Sequence, residues 1–562
     1  MSDQSGTRVD DNTDQQDETS QEASGALAVH ALEAAGVEHL FTLSGGHIFP
    51  LYDGCRQTGV QLWDFRHEQS ATFAAEGLAK LTRQTQVAAL TAGPGVTNSV
   101  SATASARFGG SPLLVIGGRA PAATWGTGSL QEIDHTAFMG PLTKSATTAM
   151  TPDTVARTVA EAYRVAGSSH RGPTFVDIPM DVVFTPAQTD TVRAPAVPDT
   201  VAHDPSDVSR IAEMLAASTA PVLIGGGDVW LDGAVEAFTT LAETTGAAVI
   251  QNGMGRGCMP ADHPQVLSRA RGAAFKSADL VIVIGTPLDF RLGFGTFGDA
   301  RTVHIADHPD QLSSHASPAA TAAGSLGPLL QALTEAAGGP SGEIAQARAA
   351  RLDTLRDAEE AKAAEDADLL TTDGTTIHPA RVYGALQEVL DRDAVVIGDG
   401  GDFVSFAGRY VKSYQPGHWM DPGPYGCLGT GMGYAAAARI AHPDKQVALM
   451  LGDGAAGFSL MDVESLVRQD LPVVIICGNN GIWALEKFPM QQLYNGWDVA
   501  ADLQPQLGYH TVVEAMGGGG EVVTDSRNLT AAIKRGFDAG VPYLINVMTD
   551  PTVAYPRSTA LV

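Results

Sequence analysis

Short apolar runs, each stopped by glycine or a polar residue, recur along this chain. Val447-Ala-Leu-Met-Leu451 stops at Gly452-Asp453-Gly454, and Val473-Val-Ile-Ile476 stops just before Asn479-Asn480. Runs of this length, bounded by turn residues, predict buried strands. The stretch around Met461 to Arg468 has a helical pattern, so the region reads as strand, turn, helix, strand. Further upstream, Pro221-Val-Leu-Ile224, Leu280-Val-Ile-Val-Ile284 and Val303-His-Ile305 read as strands of another unit, opened by a helical pattern from Val208 to Ala217. Thr174-Phe-Val-Asp-Ile-Pro179 closes the unit before it, and Ser341 to Asp366 reads as a helical connector. Strands alternating with helices predict an α/β fold of three doubly wound parallel-sheet domains.

The same pattern sets the boundaries. Residues 1–24 are rich in Asp, Gln, Ser and Thr and predict a disordered acidic tail. Domains are expected at 25–190, 200–340 and 370–550, followed by a tail at 551–562 that could act as a lid. Thr189 to His203, rich in Pro and Val, has linker character.

The polar residues at two of the strand ends carry the candidate chemistry. Open α/β sheets bind ligands beyond the carboxyl ends of their strands. Asp453 offers a carboxylate oxygen and Asn480 an amide oxygen, and the carbonyl of Ile482 is a third hard donor suited to Mg2+. Gly454 and Ala455 open the turn after Asp453, where bare backbone lets N–H groups approach a diphosphate. Gly-Asp-Gly alone is a common turn. A second strand ending in Asn-Asn is what makes the pair read as a metal–diphosphate site.

This pairing resembles the signature of thiamine-diphosphate-dependent enzymes, and the resemblance covers almost the whole chain. Arg66-His67-Glu68-Gln69, followed by Ala74-Ala75-Glu76-Gly77, matches the start of that family's activating helix. Ala92-Gly93-Pro94-Gly95-Val96-Thr97-Asn98 and Gly109-Gly110-Ser111-Pro112-Leu113 match the segments after it. The resemblance implies pyrimidine-binding, central and diphosphate-binding domains in that order, with thiamine diphosphate and Mg2+ as cofactors. It makes Glu68 the acid that activates the cofactor. It places the cofactor between the first domain of one subunit and the third of another, so a homodimer is the minimum and a homotetramer the usual form. In Tyr425-Gly-Cys-Leu-Gly-Thr-Gly-Met-Gly-Tyr434, it gives Gly426 a carbonyl contact to the aminopyrimidine and makes Leu428 the wedge that bends the cofactor.

Two groups within that superfamily compete. One is the acetolactate-synthase-like carboligases; the other holds oxalyl-CoA decarboxylase and 2-hydroxyacyl-CoA lyase. Ala270-Arg271-Gly-Ala-Ala274 and Gly285 to Gly295 look more like the CoA group, whose central domain binds ADP. There Asp307 would meet the ribose and Arg271 the phosphates. Leu130-Gln131-Glu132 lacks the decarboxylase's tyrosine and matches the lyases' Gln-Glu. Gly481-Ile-Trp-Ala-Leu-Glu-Lys487 departs from both enzymes. The resemblance therefore implies an acyl-CoA substrate, with short branched ones among the candidates, cleaved between C1 and C2 to formyl-CoA and an aldehyde or ketone. His47, Gln131 and Glu486 are the candidates near the 2-hydroxyl; Leu130 and Trp483 would shape the acyl pocket. Arg256 and Arg409 are candidates for the CoA phosphates, and Ser558 belongs to the lid-like tail. A carboligase, a decarboxylase and a non-catalytic protein of this fold stay open as alternatives.

Composition narrows the partners. A formal net charge of -28 argues against a nucleic-acid surface. No apolar stretch reaches membrane-spanning length and no signal peptide opens the chain. The 4 cysteines are scattered and predict buried free thiols in a reducing cytoplasm.

Overall fold

The computed structural model describes residues 22–188, 198 and 200–556. Ser558 and most of the expected acidic tail lie outside them. Glu22–Ala23 pairs antiparallel with Pro186–Ala187, and a helix starts at Ser24, so the first domain is closed by its own two ends.

Each of three domains is built on a parallel sheet. The first holds β1 (His39–Thr42), β2 (Gln61–Asp64), β3 (Gln86–Leu90), β4 (Leu113–Arg119), β5 (Ala146–Thr148) and β6 (Thr174–Pro179), in the order β2-β1-β3-β4-β6-β5. The central sheet holds β7 (Pro221–Gly225), β8 (Ala248–Gln251), β9 (Leu280–Ile284), β10 (Arg301–Ala306) and β11 (Ala320–Ala323), in the order β8-β7-β9-β10-β11. The third holds β12 (Val395–Asp399), β13 (Trp419–Met420), β14 (Val447–Gly452), β15 (Val474–Asn479), β16 (Gly519–Val523) and β17 (Tyr543–Met548), in the order β13-β12-β14-β15-β17-β16. The first and third sheets thus share one winding pattern. In all three the winding reverses beside the domain's first strand, which opens a crevice at the carboxyl edge.

Helices cover both faces, so the inner strands are apolar at successive positions rather than at alternate ones. Every residue of β9 is fully buried. The connector is a longer helix than the sequence pattern predicts, Gly342–Thr371. One buried side chain fastens it: Arg348 donates to the carbonyls of Leu215, Ser218 and Thr245, the free C-terminal ends of two central-domain helices.

The first and third domains also meet directly. The Glu68–Thr82 helix packs on the Gly431–Ala441 helix. A Cβ on Gly77 would lie 2.9 Å from both Ala437 and Tyr434, and one on Gly433 would lie 2.7 Å from the Ser70 carbonyl. Glycine is what lets the two backbones approach so closely. Beside them Lys80 holds Glu76 at 2.9 Å and donates to the Tyr434 hydroxyl at 2.7 Å, all buried. Breaking such a buried pair from one side would cost about 3–5 kcal/mol.

Among the described residues, no helix is long and apolar enough to cross a membrane. Cys55, Cys258 and Cys477 are buried free thiols as expected, whereas Cys427 is only half-buried.

Candidate active site

Strands β14 and β15 pair with Gly452 opposite Gly478, which brings Asp453 and Asn480 to the same edge. Asp453 is buried, and its carboxylate accepts N–H bonds from Gly454 at 2.9 Å and from Gly481 at 2.7 Å. Burial nevertheless pushes its carboxyl up to about 6. A cation at this point would favour the ionised form that burial opposes. The two asparagines divide their work. Asn479 donates to the Leu507 carbonyl at 3.0 Å and to Asn546 at 3.1 Å, tying β15 to β17. Asn480 turns its amide oxygen to the following turn, where it accepts from the Ile482 N–H at 3.1 Å. On either side of Ile482, the Gly481 carbonyl accepts from Leu503 and the Trp483 N–H donates to Ala501. Ile482's own carbonyl accepts no backbone hydrogen bond among the described residues. Through Gly481 the Asp453 carboxylate thus reaches the turn that carries Asn480 and Ile482, and these oxygens could hold a divalent cation whose other positions go to phosphate and water. A Cβ on Gly454 would lie 2.4 Å from the Trp483 ring, so the indole rests on the turn after Asp453 itself.

The carboxyl edge of the first sheet carries the second set of candidates. Glu68 heads its helix, with His67 capping it through the Gln69 N–H at 3.1 Å. The Glu68 carboxylate is buried and accepts from Asn98 at 2.9 Å. Gln131 sits in left-handed backbone with φ 61, pressed on Gly93, where a Cβ would come within 2.8 Å of it. Its Oε1 is buried without a hydrogen-bond partner among the described residues. An unpaired buried oxygen costs about 1–3 kcal/mol, so it is poised for an incoming donor. His47 is buried beside Thr91 at 3.1 Å, and burial, then the nearby His135, lowers its pKa below the usual imidazole range. It is therefore neutral near pH 7.

Behind these groups lies a network absent from the sequence reading. The Gly93 N–H donates to His135 Nε2 at 3.0 Å, while His135 Nδ1 meets Asp177 at 3.0 Å and Arg119 pairs with Asp177 at 2.8 Å. A backbone N–H can only donate, so Nε2 carries the lone pair and Nδ1 the proton. The imidazole thereby fixes the Gly93 turn on which Gln131 rests. His135 and Asp177 are isolated letters in the sequence, with no pattern to mark them.

Asp399, at the end of β12, was also missed. Its two oxygens accept from the Gly429 N–H at 3.1 Å and the Gly431 N–H at 2.8 Å. It thereby shapes the loop that carries Gly426 and Leu428. Burial pushes its carboxyl up to about 7. Gly398-Asp399-Gly400 behind an apolar run is a second Gly-Asp-Gly, so a signal was present. The Leu428 carbonyl accepts from Gln69 at 3.4 Å, linking this loop to the start of the Glu68 helix.

The remaining candidates scatter. Arg256, Arg271 and Arg409 line one cavity of about 440 Å³ between the central domain, the connector and the Asp402–Tyr410 helix, where with Arg269, Arg356 and Lys412 they outnumber the carboxylates Asp262, Glu359 and Glu360. Arg256 stacks on Trp419 and donates to the Gly408 and Val411 carbonyls; Arg409 pairs with Asp366 at 2.7 Å. Asp307 and Arg271, expected to grip one nucleotide, are not brought together. Asp307 is buried against His170 at 2.9 Å, while Arg271 donates to the Arg291 carbonyl and faces the basic cavity. The crevice at the carboxyl edge of the central sheet is a separate cavity of about 610 Å³, walled by Gly227, Gly285, Arg107 and Arg291. Leu130 is 77% exposed in the single chain. Glu486 lies at an exposed edge, yet partial burial, then the charge of Asp402, holds its carboxyl above the usual range. The tail runs past the same point: the Tyr555 N–H donates to Asp402 at 2.7 Å, and its ring meets Phe406 edge-on at 5.1 Å.

Comparison with known proteins names the class. Residues 23–138, 208–333 and 399–547 match the N-terminal TPP binding, central and C-terminal TPP binding domains of thiamine pyrophosphate enzymes. The chain belongs to that family. Within it, the chain is 46% identical to a "Probable acetolactate synthase" of Mycobacterium bovis, covering 96% of this chain and 97% of that one. It is 32% identical to a "2-hydroxyacyl-CoA lyase 2" of Caenorhabditis elegans, covering 93% and 88%, and 28% identical to the protein of that name from Homo sapiens, covering 95% and 91%.

Proposed function

We propose that this enzyme is a 2-hydroxyacyl-CoA lyase, cleaving the C1–C2 bond to give formyl-CoA and an aldehyde or ketone, and joining them in reverse. The observation that carries the reading is the basic cavity lined by Arg256, Arg271 and Arg409. In a chain of net charge -28, such a concentration of guanidinium groups fits a polyphosphate ligand. Gly408 and Arg409, at one end of the Asp402–Tyr410 helix, face this cavity; Asp402 and Glu486 lie at the other end. That helix is about 13 Å long, a distance a pantetheine arm can bridge.

Thiamine diphosphate, when bound, supplies a carbon nucleophile and an electron sink. Asp453, Asn480 and the Ile482 carbonyl would hold its Mg2+, and Glu68 would share a proton with its pyrimidine ring. Gln131 Oε1 accepts a hydrogen bond from the substrate's 2-hydroxyl and orients it. Glu486 takes the hydroxyl proton as the C1–C2 bond breaks, and the aldehyde or ketone leaves. A proton delivered to C1 then completes formyl-CoA. Neutral His47 lies on the same edge and donates or accepts without adding charge. The tail across Asp402 would keep water from the reacting carbon.

Two further assignments belong to this reading. The 610 Å³ crevice, with its glycine-lined strand ends and the cations Arg107 and Arg291, suits an ADP-like nucleotide. The exposed Phe49, Trp125, Leu130 and Ile133 on the first domain, and Phe458 and Met461 beside Asp453, favour a second subunit that would cover them.

The test is incubation with thiamine diphosphate, Mg2+ and a panel of 2-hydroxyacyl-CoAs, with formyl-CoA quantified. Acetolactate formation is the second reading, favoured by the relative at 46% identity, so pyruvate is the control. Acetolactate from pyruvate, with no formyl-CoA across the panel, would refute the lyase. Nucleotide released by heating the purified protein would tell ADP from a flavin.

A further inference from the structure

We infer that His170, Asp228 and Asp307 form a divalent-cation site that joins the first domain to the central one. The site is separate from the turn at Asp453. Asp228 stands just past β7 and Asp307 just past β10, on strands that both flank β9. His170 comes from the first domain, beyond its Pro152–Gly167 helix. One ligand atom from each residue lies within 4.8 Å of the others. Gly110, with φ 64, leaves the space between them open: a Cβ there would come within 3.1 Å of His170 Nε2 and 3.3 Å of Asp228 Oδ1.

The charges around the cluster ask for a cation. Asp307 is buried with His170 as its hydrogen-bond partner. Among the described residues, none donates a hydrogen bond to the Asp228 carboxylate, although it faces a second carboxylate. The neighbouring cations are engaged elsewhere. Lys144 donates to the Ser168 carbonyl at 2.8 Å and hydroxyl at 2.9 Å, and Arg171 pairs with Asp232 at 2.9 Å.

One imidazole and two carboxylates suit Zn2+, Mn2+ or Co2+. His170 and Asp228 also line the 610 Å³ crevice, which leaves a coordination position open to water or to an anionic ligand. Binding would displace the imidazole proton that now bridges to Asp307, and the ion would clamp two domains at the mouth of that crevice. The rival arrangement has no metal: a protonated His170 alone bridging the two carboxylates.

The test uses the holoenzyme, saturated with thiamine diphosphate and Mg2+, titrated with Co2+ and followed by visible absorption and elemental analysis. Wild type is expected to take up one more Co2+ per chain than Asp228→Asn or His170→Gln, or to bind it at least about tenfold more tightly. Asp228→Asn preserves shape, and its melting curve establishes that it is folded. Equal Co2+ uptake by wild type and both folded variants would overturn the site. So would the absence of any Co2+ spectrum in wild type up to about 1 mM, leaving the imidazolium bridge.

Discussion

At the scale of single residues, Asp453 and Glu68 are buried carboxylates with opposite demands. Asp453 must be ionised to hold a cation, but its surroundings favour the protonated form. A carboxyl raised in the folded state binds its proton there more tightly than in the unfolded chain. Its stabilising contribution is therefore complete below the unfolded value and is lost as pH rises through about 6. Cofactor-free Asp453→Asn is accordingly expected to be more stable than cofactor-free wild type at pH 8, by about 1–3 kcal/mol. The gap should close as pH falls towards 4, and added Mg2+ and thiamine diphosphate should reverse it by stabilising wild type alone. Thermal melts across pH, with and without cofactor, would check this. For Glu68→Gln, turnover should fall by about 10²–10⁴ while thiamine diphosphate still binds. Activity and cofactor titration on one preparation separate that outcome from misfolding. For Glu486→Gln, kcat should fall by about 10² and the loss of rate at low pH should flatten, because the variant has no carboxyl left to protonate. An unchanged acidic limb would remove Glu486 from the reaction.

At the scale of elements, the site depends on turns whose side chains have been stripped away. The Trp483 indole lies where a Cβ on Gly454 would project. Gly454→Ala should weaken cofactor binding, through overpacking worth about 1–3 kcal/mol. Shortening the indole in Gly454→Ala/Trp483→Ala should recover part of that loss. If the double variant binds no better than the single one, the collision is not the cause. Elements were also where the sequence was most legible. Leu280 to Ile284 is a strand with the predicted ends, and the strands before Asp453 and Asn480 depart from their predicted bounds by at most three residues. Long apolar runs stopped by glycine leave little choice of structure. β5 and β11, Ala146–Thr148 and Ala320–Ala323, were not legible, because small residues at a sheet edge carry no apolar period. The same limit hid the His135–Asp177 network. Its residues are far apart in sequence, and only the sheet order makes them neighbours. Asp307 stands at the strand end that the sequence marks, whereas its partner His170 comes from another domain and had no signal in the sequence.

At the scale of the whole molecule, the family resemblance leads one to expect that two chains complete each site. Within one chain, the start of the Glu68 helix is already engaged with the third domain: Arg66 and Ser70 donate to Asp462, and Gln69 to Leu428. A shared site makes a sharp prediction for mixed dimers. Glu68→Gln and Asp453→Asn, each inactive alone, should regain activity when co-expressed, because the hybrid pairs an intact Glu68 with an intact Asp453. No recovery, with hybrids shown to form by differential tagging, would place the site within one chain. The contact between the Glu68–Thr82 and Gly431–Ala441 helices has a separate consequence. Gly77, Gly433 and the Glu76–Lys80 pair join the first and third domains without any help from the peptide chain between them. The gene could therefore be divided between His203 and Asp204 and translated as two polypeptides. The pieces should find each other in the cell and co-purify as one particle.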